Sequence, residues 1–196
     1  LDANVLRSAG GSLAFRHGLL REAVYDDLLP DERTRLHGHL ASILHARAAE
    51  DAEPGLPILS RWAFHALAAH DLPSALHASV RAGLEARKVG AIEEVVYFER
   101  ALSLWDRVPD AEARAGLSLV ELLVERGTAA VTAENDSDWH TYTRRAVDML
   151  EPDTDPLLAS RAYSALGFCA LFNKDSIGAA EAIRRAVEYA DDTPTR

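Results

Sequence analysis

Cysteine, methionine and lysine are almost absent from this 196-residue chain, which contains one cysteine, one methionine, and lysine at positions 88 and 174 alone. The lone Cys169 excludes a disulfide within the sequence and any zinc site built from several cysteines. No apolar run approaches the ~18 residues of a membrane-spanning helix, and no basic stretch precedes an apolar one as in an export signal. We therefore expect a cytoplasmic protein without a membrane partner.

Positive charge is also scarce, since 21 basic residues stand against 31 acidic ones and the formal net charge is −10. A surface of that sign repels phosphate backbones, so no direct contact with nucleic acid is expected. The basic residues are nearly all arginine, and alanine and leucine are abundant, as in proteins from high-GC genomes.

The motifs of catalysis and of nucleotide binding are missing. A phosphate-binding loop needs G-x-x-x-x-G-K-[ST], and neither lysine has that setting. No G-x-S-x-G elbow is present, and Cys169 is expected to be a small core residue on a repeat helix, beside Phe168 and Leu171. The prediction is a chain that is not an enzyme and has no catalytic residue and no cofactor of its own.

The histidines do not have the spacing of metal ligands. His37 and His39 are two residues apart, and His65 and His70 are five apart, so on a helix the two side chains of each pair diverge. We expect no metal site, and we expect His37 and His39 to lie on a helix surface. Adjacent acidic pairs such as Glu93 and Glu94 likewise point apart and are expected to face solvent.

What the chain does contain is apolar residues, 48% of the total and mostly alanine and leucine, a mixture that favours closely packed helices. Residues 1–11 read as irregular, and 12–17 alternate like the one short strand expected here. A helical stripe follows from Gly18 to Pro30. Pro30 suits the first turn of a helix that ends near Ala49 and buries its leucine and isoleucine positions: Leu36, Leu40, Ile43 and Leu44.

The segment 51–55 reads as a linker, so the main boundary is placed between 53 and 54. After it we expect a helix over 58–69, and then helices separated by turn signals at 70–73, 90, 109–110, 134–137, 152–156 and 173–175. The last helix is expected over 176–191. Since the chain begins at Leu1 and its sole methionine is Met149, we expect a fragment of a longer protein.

The end of the chain fits the ~34-residue helix-turn-helix unit of tetratricopeptide repeats. Small residues are needed where paired helices cross closely, and larger ones fill the gaps between them. The residues at these packing positions are Tyr163, Leu166, Gly167 and Ala170 in the first helix and Ala179, Ile183 and Ala186 in the second. The fold predicted is an all-α, tetratricopeptide-like superhelix of right-handed helical hairpins with at most one short N-terminal strand.

Two earlier units fit less closely. Their markers are Ala82, Phe98 and Ala101, and then Leu123, Gly127, Ala130, Thr143 and Ala146. Glu94 and Trp139 stand where the repeat expects small residues, and the alanines at 101, 146 and 186 are 45 and 40 residues apart. The excess falls in inserts near 109–113 and 151–156. An irregular helical bundle is the alternative fold.

Two stretches resemble a known family. The first is Phe15-Arg16-His17-Gly18-Leu19-Leu20-Arg21-Glu22-Ala23-Val24-Tyr25, with Leu28-Leu29-Pro30 and Arg35-Leu36-His37 after it. It resembles the winged-helix-like segment that closes the ATPase module of large ATP-binding LuxR-type regulators (the LAL, STAND class), which are often actinobacterial. The second, from Asp71 through Arg81-Ala82-Gly83 to Tyr97-Phe98-Glu99-Arg100-Ala101-Leu102, resembles the start of their tetratricopeptide region.

The resemblance implies that residues 1–53 end the winged-helix, ATPase-associated segment and that 54–196 belong to the repeat region. ATP would bind in a domain upstream of this sequence, and DNA in one downstream. The function implied is a regulatory module of a transcriptional regulator that binds a protein or a small-molecule signal and relays it. The alternative is a tetratricopeptide scaffold of another multidomain signalling protein, linked to a cyclase or a kinase.

The family geometry also implies a concave groove lined by the first helix of each pair. The candidate groove residues are Ser79, Gly83 and Arg87, then Glu121, Val124 and Thr128, and finally Arg161, Ser164, Phe168 and Phe172. Two arginines are too few for a basic clamp on a C-terminal carboxylate. If no further repeat covers the last helix, its apolar strip is expected to support a homodimer.

Overall fold

The computed structural model describes residues 5–9, 12–90, 92–129 and 139–191. They form a two-stranded hairpin, β1 (Leu6–Ala9) and β2 (Ser12–Phe15), and ten helices. The helices are α1 (Gly18–Asp27), α2 (Pro30–Glu50), α3 (Leu56–Ala68), α4 (Leu72–Lys88), α5 (Glu94–Trp105), α6 (Ala111–Ala115), α7 (Leu119–Ala129), α8 (Trp139–Asp148), α9 (Pro156–Phe172) and α10 (Ser176–Asp191). Ala130 and the turn predicted at 134–137 lie outside the described residues.

The N-terminal strands correct the prediction of a single strand. β1 pairs antiparallel with β2, so that Leu6 lies opposite Phe15 and Ala9 opposite Ser12. Residues 6–9 were expected to be irregular, and that expectation is wrong. A single short strand leaves its backbone N–H and C=O groups without partners, so a strand over 12–15 itself requires a neighbour.

Helix α2 begins at Pro30, where the missing N–H of proline costs no hydrogen bond, and the Leu29 N–H donates to Glu32 Oε2 at 2.9 Å. Its predicted buried face is wrong except at Leu44. The buried positions are His37, Ala41, Leu44 and Ala48, whereas Leu36, Leu40 and Ile43 are 39–48% exposed. The small residues face α3 because they allow the two helices to approach closely.

Most of the helices pack against the next one in the chain, and the most extensive pairings are α2 with α3, α3 with α4, α4 with α5, α7 with α8, and α9 with α10. The predicted turns at 90, 109–110 and 173–175 fall between helices, whereas those at 70–73 and 152–156 extend into the first turns of α4 and α9. The insert near 109–113 holds the short helix α6, which packs against α4 and lengthens the connection between two hairpins.

Each of three hairpins has a glycine at its helix crossing. A Cβ on Gly83 would lie 2.6 Å from Phe98 Cε1, one on Gly127 2.6 Å from Thr143 Cγ2, and one on Gly167 2.9 Å from Ile183 Cγ1. These distances are shorter than any carbon–carbon contact, so the partner side chain occupies the space that a Cβ would need. The partner follows its glycine by 15 or 16 residues in each hairpin, which is the regularity of a repeat.

The core runs along the stack. Trp62, Leu76, Phe98 and Leu104 are buried in its first part, and Leu123, Val124, Ala146 and Ala162 in its second. The prediction of an all-α stack of helical hairpins is confirmed. Ala41 and Leu44 of α2 share the first part of the core with Leu59 and Trp62 of α3. The division into residues 1–53 and 54–196 stays a prediction.

Candidate functional site

Candidate groove residues of α4 and α9, Arg87 and Arg161, meet at one carboxylate of α7, that of Glu125. Arg87 in the last turn of α4 and Arg161 in the second turn of α9 both donate to it, Arg87 to Oε2 and Arg161 to Oε1. Residues 87 and 125 are 38 positions apart in the chain, so this contact joins helices from different hairpins. The site is therefore a charged network that connects three helices of the stack.

Arg87 uses its whole guanidinium group. Nη2 donates to the Glu125 carbonyl at 2.7 Å and to Thr128 Oγ1 at 3.0 Å, and Nε donates to Glu94 Oε2 at 3.3 Å. The guanidinium also lies over the ring of Phe98, 5.4 Å from its centroid. A planar group with five N–H donors suits this position, which a lysine ammonium does not satisfy.

Glu94 was expected to face solvent, and that expectation is wrong, because the residue is 4% exposed. It stands at a position where the repeat pattern expects a small side chain. A buried carboxylate is stable only when it is paired, and Arg87 pairs with it across the α4–α5 hairpin. The departure from the repeat pattern at Glu94 is thus part of the charged network.

The remaining candidates on α4 and α7 divide by exposure. Glu121 is half-buried and accepts hydrogen bonds from the backbone N–H and the hydroxyl of Ser118, at 2.6 and 2.9 Å, which caps the start of α7. Thr128 is half-buried and holds Arg87. Ser79 and Val124 are fully buried, so they line the interior and not the groove surface.

On α9 the groove face ends in exposed aromatic residues. Ser164 is half-buried, whereas Phe168 is 57% and Phe172 66% exposed. The Phe172 ring also lies 5.2 Å from that of Trp139, the first residue of α8. Trp139, the second departure from the repeat pattern, is buried against Cys169. Phe168 and Phe172 therefore extend the charged network as an apolar patch, and we call the two together with Arg161 the α9 patch.

Sequence reasoning missed Glu125, the residue at the centre of the network. The spacing of Glu121, Glu125 and Thr128 places all three on one face of a helix, so the sequence could have added Glu125 to the candidate residues. It also missed Arg126, which is buried, pairs with Glu99 at 2.6 Å and lies over the Tyr142 ring at 4.6 Å from the centroid. Arg126 ties α5, α7 and α8 together on the other side of α7.

The charges of the network compensate one another. Two guanidinium groups, Arg87 and Arg161, face two carboxylates, Glu94 and Glu125, so the formal charges of these four side chains cancel. Both arginines donate to Glu125. Among the described residues, no three His, Cys, Asp or Glu side chains lie close enough together to hold a metal ion.

A separate cleft of about 380 Å³ lies on the opposite face of α9, between α8 and α10. Its floor is apolar and aromatic, and its rim carries charges of both signs. The main lining residues are His140, Arg144, Tyr163, Leu166, Glu181 and Arg185. A cleft of this size can hold a small molecule.

The repeat-packing residues of the last hairpin occupy the α9–α10 interface. Leu166, Gly167, Ala170, Ala179 and Ala186 are buried. Tyr163 is half-buried and stacks on Tyr189 with ring centroids 5.7 Å apart, and Ile183, 43% exposed, covers Gly167. Cys169 is 1% exposed, and burial raises the pKa of its thiol, as expected of a core residue.

His37 corrects the prediction of a surface histidine. It is 5% exposed, and its Nδ1 lies 2.8 Å from Nδ1 of His65 on α3. His39 is exposed, as expected. His37 belongs to the small-residue face of α2 that packs on α3, which the leucine pattern did not indicate.

The fold and its contacts define a class of protein, a stack of helical hairpins with a polar network along one face. No family model matches the sequence, and no curated protein matches it. Among solved structures, the chain is similar to BtubC (BKLC) from P. vanneervenii, with 17% sequence identity and a TM-score of 0.51, over 90% of this chain and 74% of that one. At this identity the similarity concerns the fold alone. No helix in the described part of the chain is both long and apolar enough to cross a membrane.

Proposed function

We propose that this chain is a non-catalytic interaction module, a tetratricopeptide-like stack that binds a polypeptide segment of a partner protein on the groove face of α4, α7 and α9. The observation that carries the proposal is the α9 patch, where Phe168 and Phe172 are exposed on the helix face that also carries Arg161. Large aromatic side chains that solvent reaches on an ordered helix are typical anchors for a binding partner.

The charged network gives the module a way to relay binding. A partner that takes a hydrogen bond from Arg161 competes with Glu125, and Glu125 is also the partner of Arg87 on α4. Loosening that contact changes how α9 sits on α7, and Phe172 passes the change to Trp139 of α8. In a stack in which each unit contacts its neighbours, such a shift alters curvature and reaches flanking domains.

The parent protein that fits this module best is a LuxR-type transcriptional regulator with an upstream ATPase and a downstream DNA-binding domain. The support is the motif resemblance in residues 15–37 and 71–102 together with the helical-hairpin fold. The second candidate is a scaffold in a cyclase- or kinase-linked signalling protein. Reading the coding sequence on both sides decides between them: a phosphate-binding loop upstream and a helix-turn-helix downstream support the first, and a cyclase or kinase domain supports the second.

Selection of peptides on the purified chain tests the binding proposal. We expect phage-displayed peptides to enrich in apolar residues and to bind with affinities that fall at least about tenfold in a Phe168→Ser/Phe172→Ser protein, because buried aromatic anchors dominate such interfaces. Ile92→Ser is the matched control, since Ile92 is 64% exposed but lies outside the groove, in the loop between α4 and α5.

Two results contradict the proposal. Peptides that bind the double variant as tightly as the wild-type chain place the partner elsewhere. Peptides that lose affinity equally with Ile92→Ser show nonspecific apolar adhesion. If a small molecule is the signal instead, the cleft between α8 and α10 is where it fits, and Arg144→Trp, at the exposed rim of that cleft, would weaken its binding while leaving peptide binding intact.

A further inference from the structure

The N-terminal part of the chain is attached to the helical stack through an unusual contact between two histidines. His37 Nδ1 on α2 and His65 Nδ1 on α3 are 2.8 Å apart, and on the other side of the same ring His37 Nε2 lies 2.9 Å from the Tyr25 hydroxyl on α1. The three groups form a relay from α1 through α2 to α3. Because α1 buries none of its ten residues, polar contacts to α2 hold it, namely this relay and the hydrogen bonds that Arg33 donates to the carbonyls of Asp26 and Leu28.

The proton count of the pair is fixed by its geometry. At 2.8 Å one Nδ1 must donate and the other must accept, so one of the two rings has no proton on Nδ1. A first added proton is tolerated, because an imidazolium on either residue still donates to the neutral ring. A second one puts N–H groups on both facing atoms, with two positive charges, and the contact cannot survive.

The geometry points to a proton-sensitive joint: the contact between His37 and His65 ties α1 and α2 to α3 while the pair carries at most one positive charge, and it opens when both rings are protonated. The N-terminal segment is then released from the relay at mildly acidic pH and held at neutral pH. This inference concerns α1 to α3 and does not depend on the proposed binding groove.

The groups around His37 and His65 determine how the contact between the two rings responds to pH. Burial, the charge of His37 and the charge of Arg61, in that order, lower the pKa of His65, so the second protonation requires a pH below the ordinary histidine range. On α1 the facing group is Tyr25, and on α2 Arg33 lies 4.9 Å from the Tyr25 ring centroid and pairs with Asp26. In the described part of the chain no carboxylate hydrogen-bonds either ring, so nothing nearby neutralises a doubly charged pair.

Because His37 is buried, its ring has little room to move away from His65 when both rings are protonated. The ring is enclosed edge-on by Tyr25 and by Phe64, whose centroids lie 5.9 and 5.6 Å away, and it is 5% exposed. A buried charge that has lost its partner is strongly disfavoured, so the second proton is accommodated by breaking the contact between the rings and admitting water to His37.

Hydrogen exchange of α1 in the whole chain, corrected for the intrinsic effect of pH, tests the joint. We expect the protection of residues 18–27 to fall at least about tenfold between pH 7.5 and pH 5. In His65→Asn the protection should change little with pH, because the asparagine amide matches the position of Nδ1 but does not titrate. His39→Asn, which replaces an exposed histidine on α2, the helix of His37, should behave as the wild type does.

If His65→Asn disturbs α1 at every pH, nitrogen NMR of the two rings in the wild-type chain tests the proposal instead. It compares the protonation of each ring with the protection of α1. The proposal requires a single Nδ1 proton between the rings at neutral pH, and loss of α1 protection in step with the second protonation. Protection that is lost while one ring is still neutral overturns it. So does protection that persists when both rings are charged, or a His65→Asn profile with the pH dependence of the wild type.

Discussion

Gly83 lies directly against the ring of Phe98, so that a Cβ at position 83 would come within 2.6 Å of the ring atom Cε1. Phe98 is fully buried and Arg87 lies over its ring, so the ring has no room to move aside. The close approach of α4 and α5 therefore depends on the missing side chain. The same relation holds between Gly127 and Thr143 and between Gly167 and Ile183.

Gly83→Ala should destabilise the chain although alanine is the better helix former. The added methyl group forces Phe98 or the helices apart, at a cost of about 1–3 kcal/mol in the free energy of unfolding. Gly38→Ala is the matched control, because that glycine is also inside a helix and its Cβ would lie 3.8 Å from Ala69 Cβ, an ordinary contact. It should be neutral or stabilising by up to about 1 kcal/mol. Urea unfolding of both variants checks this, and equal effects would refute the packing argument.

Acidification should destabilise the chain partly through His77. Desolvation is the main cause that lowers the pKa of His77, and Arg81 and His45 add to it, while the hydrogen bond of Nδ1 to the Arg114 carbonyl at 2.8 Å acts in the opposite sense. Since the folded pKa is below the unfolded one, the unfolded chain binds the proton more readily, and stability falls as the pH drops below about 6.5.

Replacing His77 by glutamine should reduce that loss. The urea midpoint of His77→Gln is expected to fall less than that of the wild type between pH 7.5 and 5.5. His39→Gln, which removes an exposed histidine, should keep the wild-type difference. A His77→Gln chain with an unchanged pH dependence would show that the proton is taken up elsewhere.

Cys169 should react slowly with thiol reagents in the folded chain. Its side chain is buried against Trp139, and burial raises the pKa of the thiol, so little thiolate is present and the sulfur is covered. We expect labelling by iodoacetamide at least about a hundredfold slower than that of a cysteine placed at the exposed Ala180 in a Cys169→Ala chain. Similar rates would mean that the α8–α9 contact opens readily.

The exposed strip on α10 should support self-association. Ile177 is 84% and Val187 54% exposed, on the side of α10 that α9 does not cover. Sedimentation velocity is expected to show a dimer that forms with increasing concentration and weakens in Val187→Glu, whereas Leu19→Glu on α1 has no effect. A chain that stays monomeric at the highest concentrations contradicts this prediction.

Much of the fold was accessible from the sequence because small residues mark helix crossings. Gly167, Ala179 and Ala186 located the last hairpin and its helix over 176–191, and Gly127 with Ala146 located the one before it. The periodic leucines of α2 misled, because a helix with apolar residues on two faces does not show which one is buried. Packing against α3 determines which face of α2 is buried, namely the one with Ala41 and Ala48.

The site was less accessible, because its central contacts join residues far apart in the chain. The family geometry indicated Arg87, Thr128 and Arg161, but nothing in local spacing shows that Glu125 lies between the two arginines. The pairing of His37 with His65 was hidden for the same reason, since each was compared with the histidine nearest in sequence. To predict a polar pair between distant residues, one must know which positions of neighbouring helices lie opposite each other. The repeat pattern does not give that alignment where it is interrupted, at Glu94 and Trp139.

In this structure α4, α7 and α9 present one continuous face held by Glu125, and a double-mutant cycle of Arg87→Ala and Glu125→Ala measures the coupling between α4 and α7. Breaking a largely buried pair couples the two substitutions, so we predict a coupling free energy of unfolding of about 1–3 kcal/mol. The exposed pair Arg184 and Glu188 within α10 is the control, with an expected coupling of about 0.5 kcal/mol or less. Strictly additive effects at Arg87 and Glu125 would show that the two helices do not share this face.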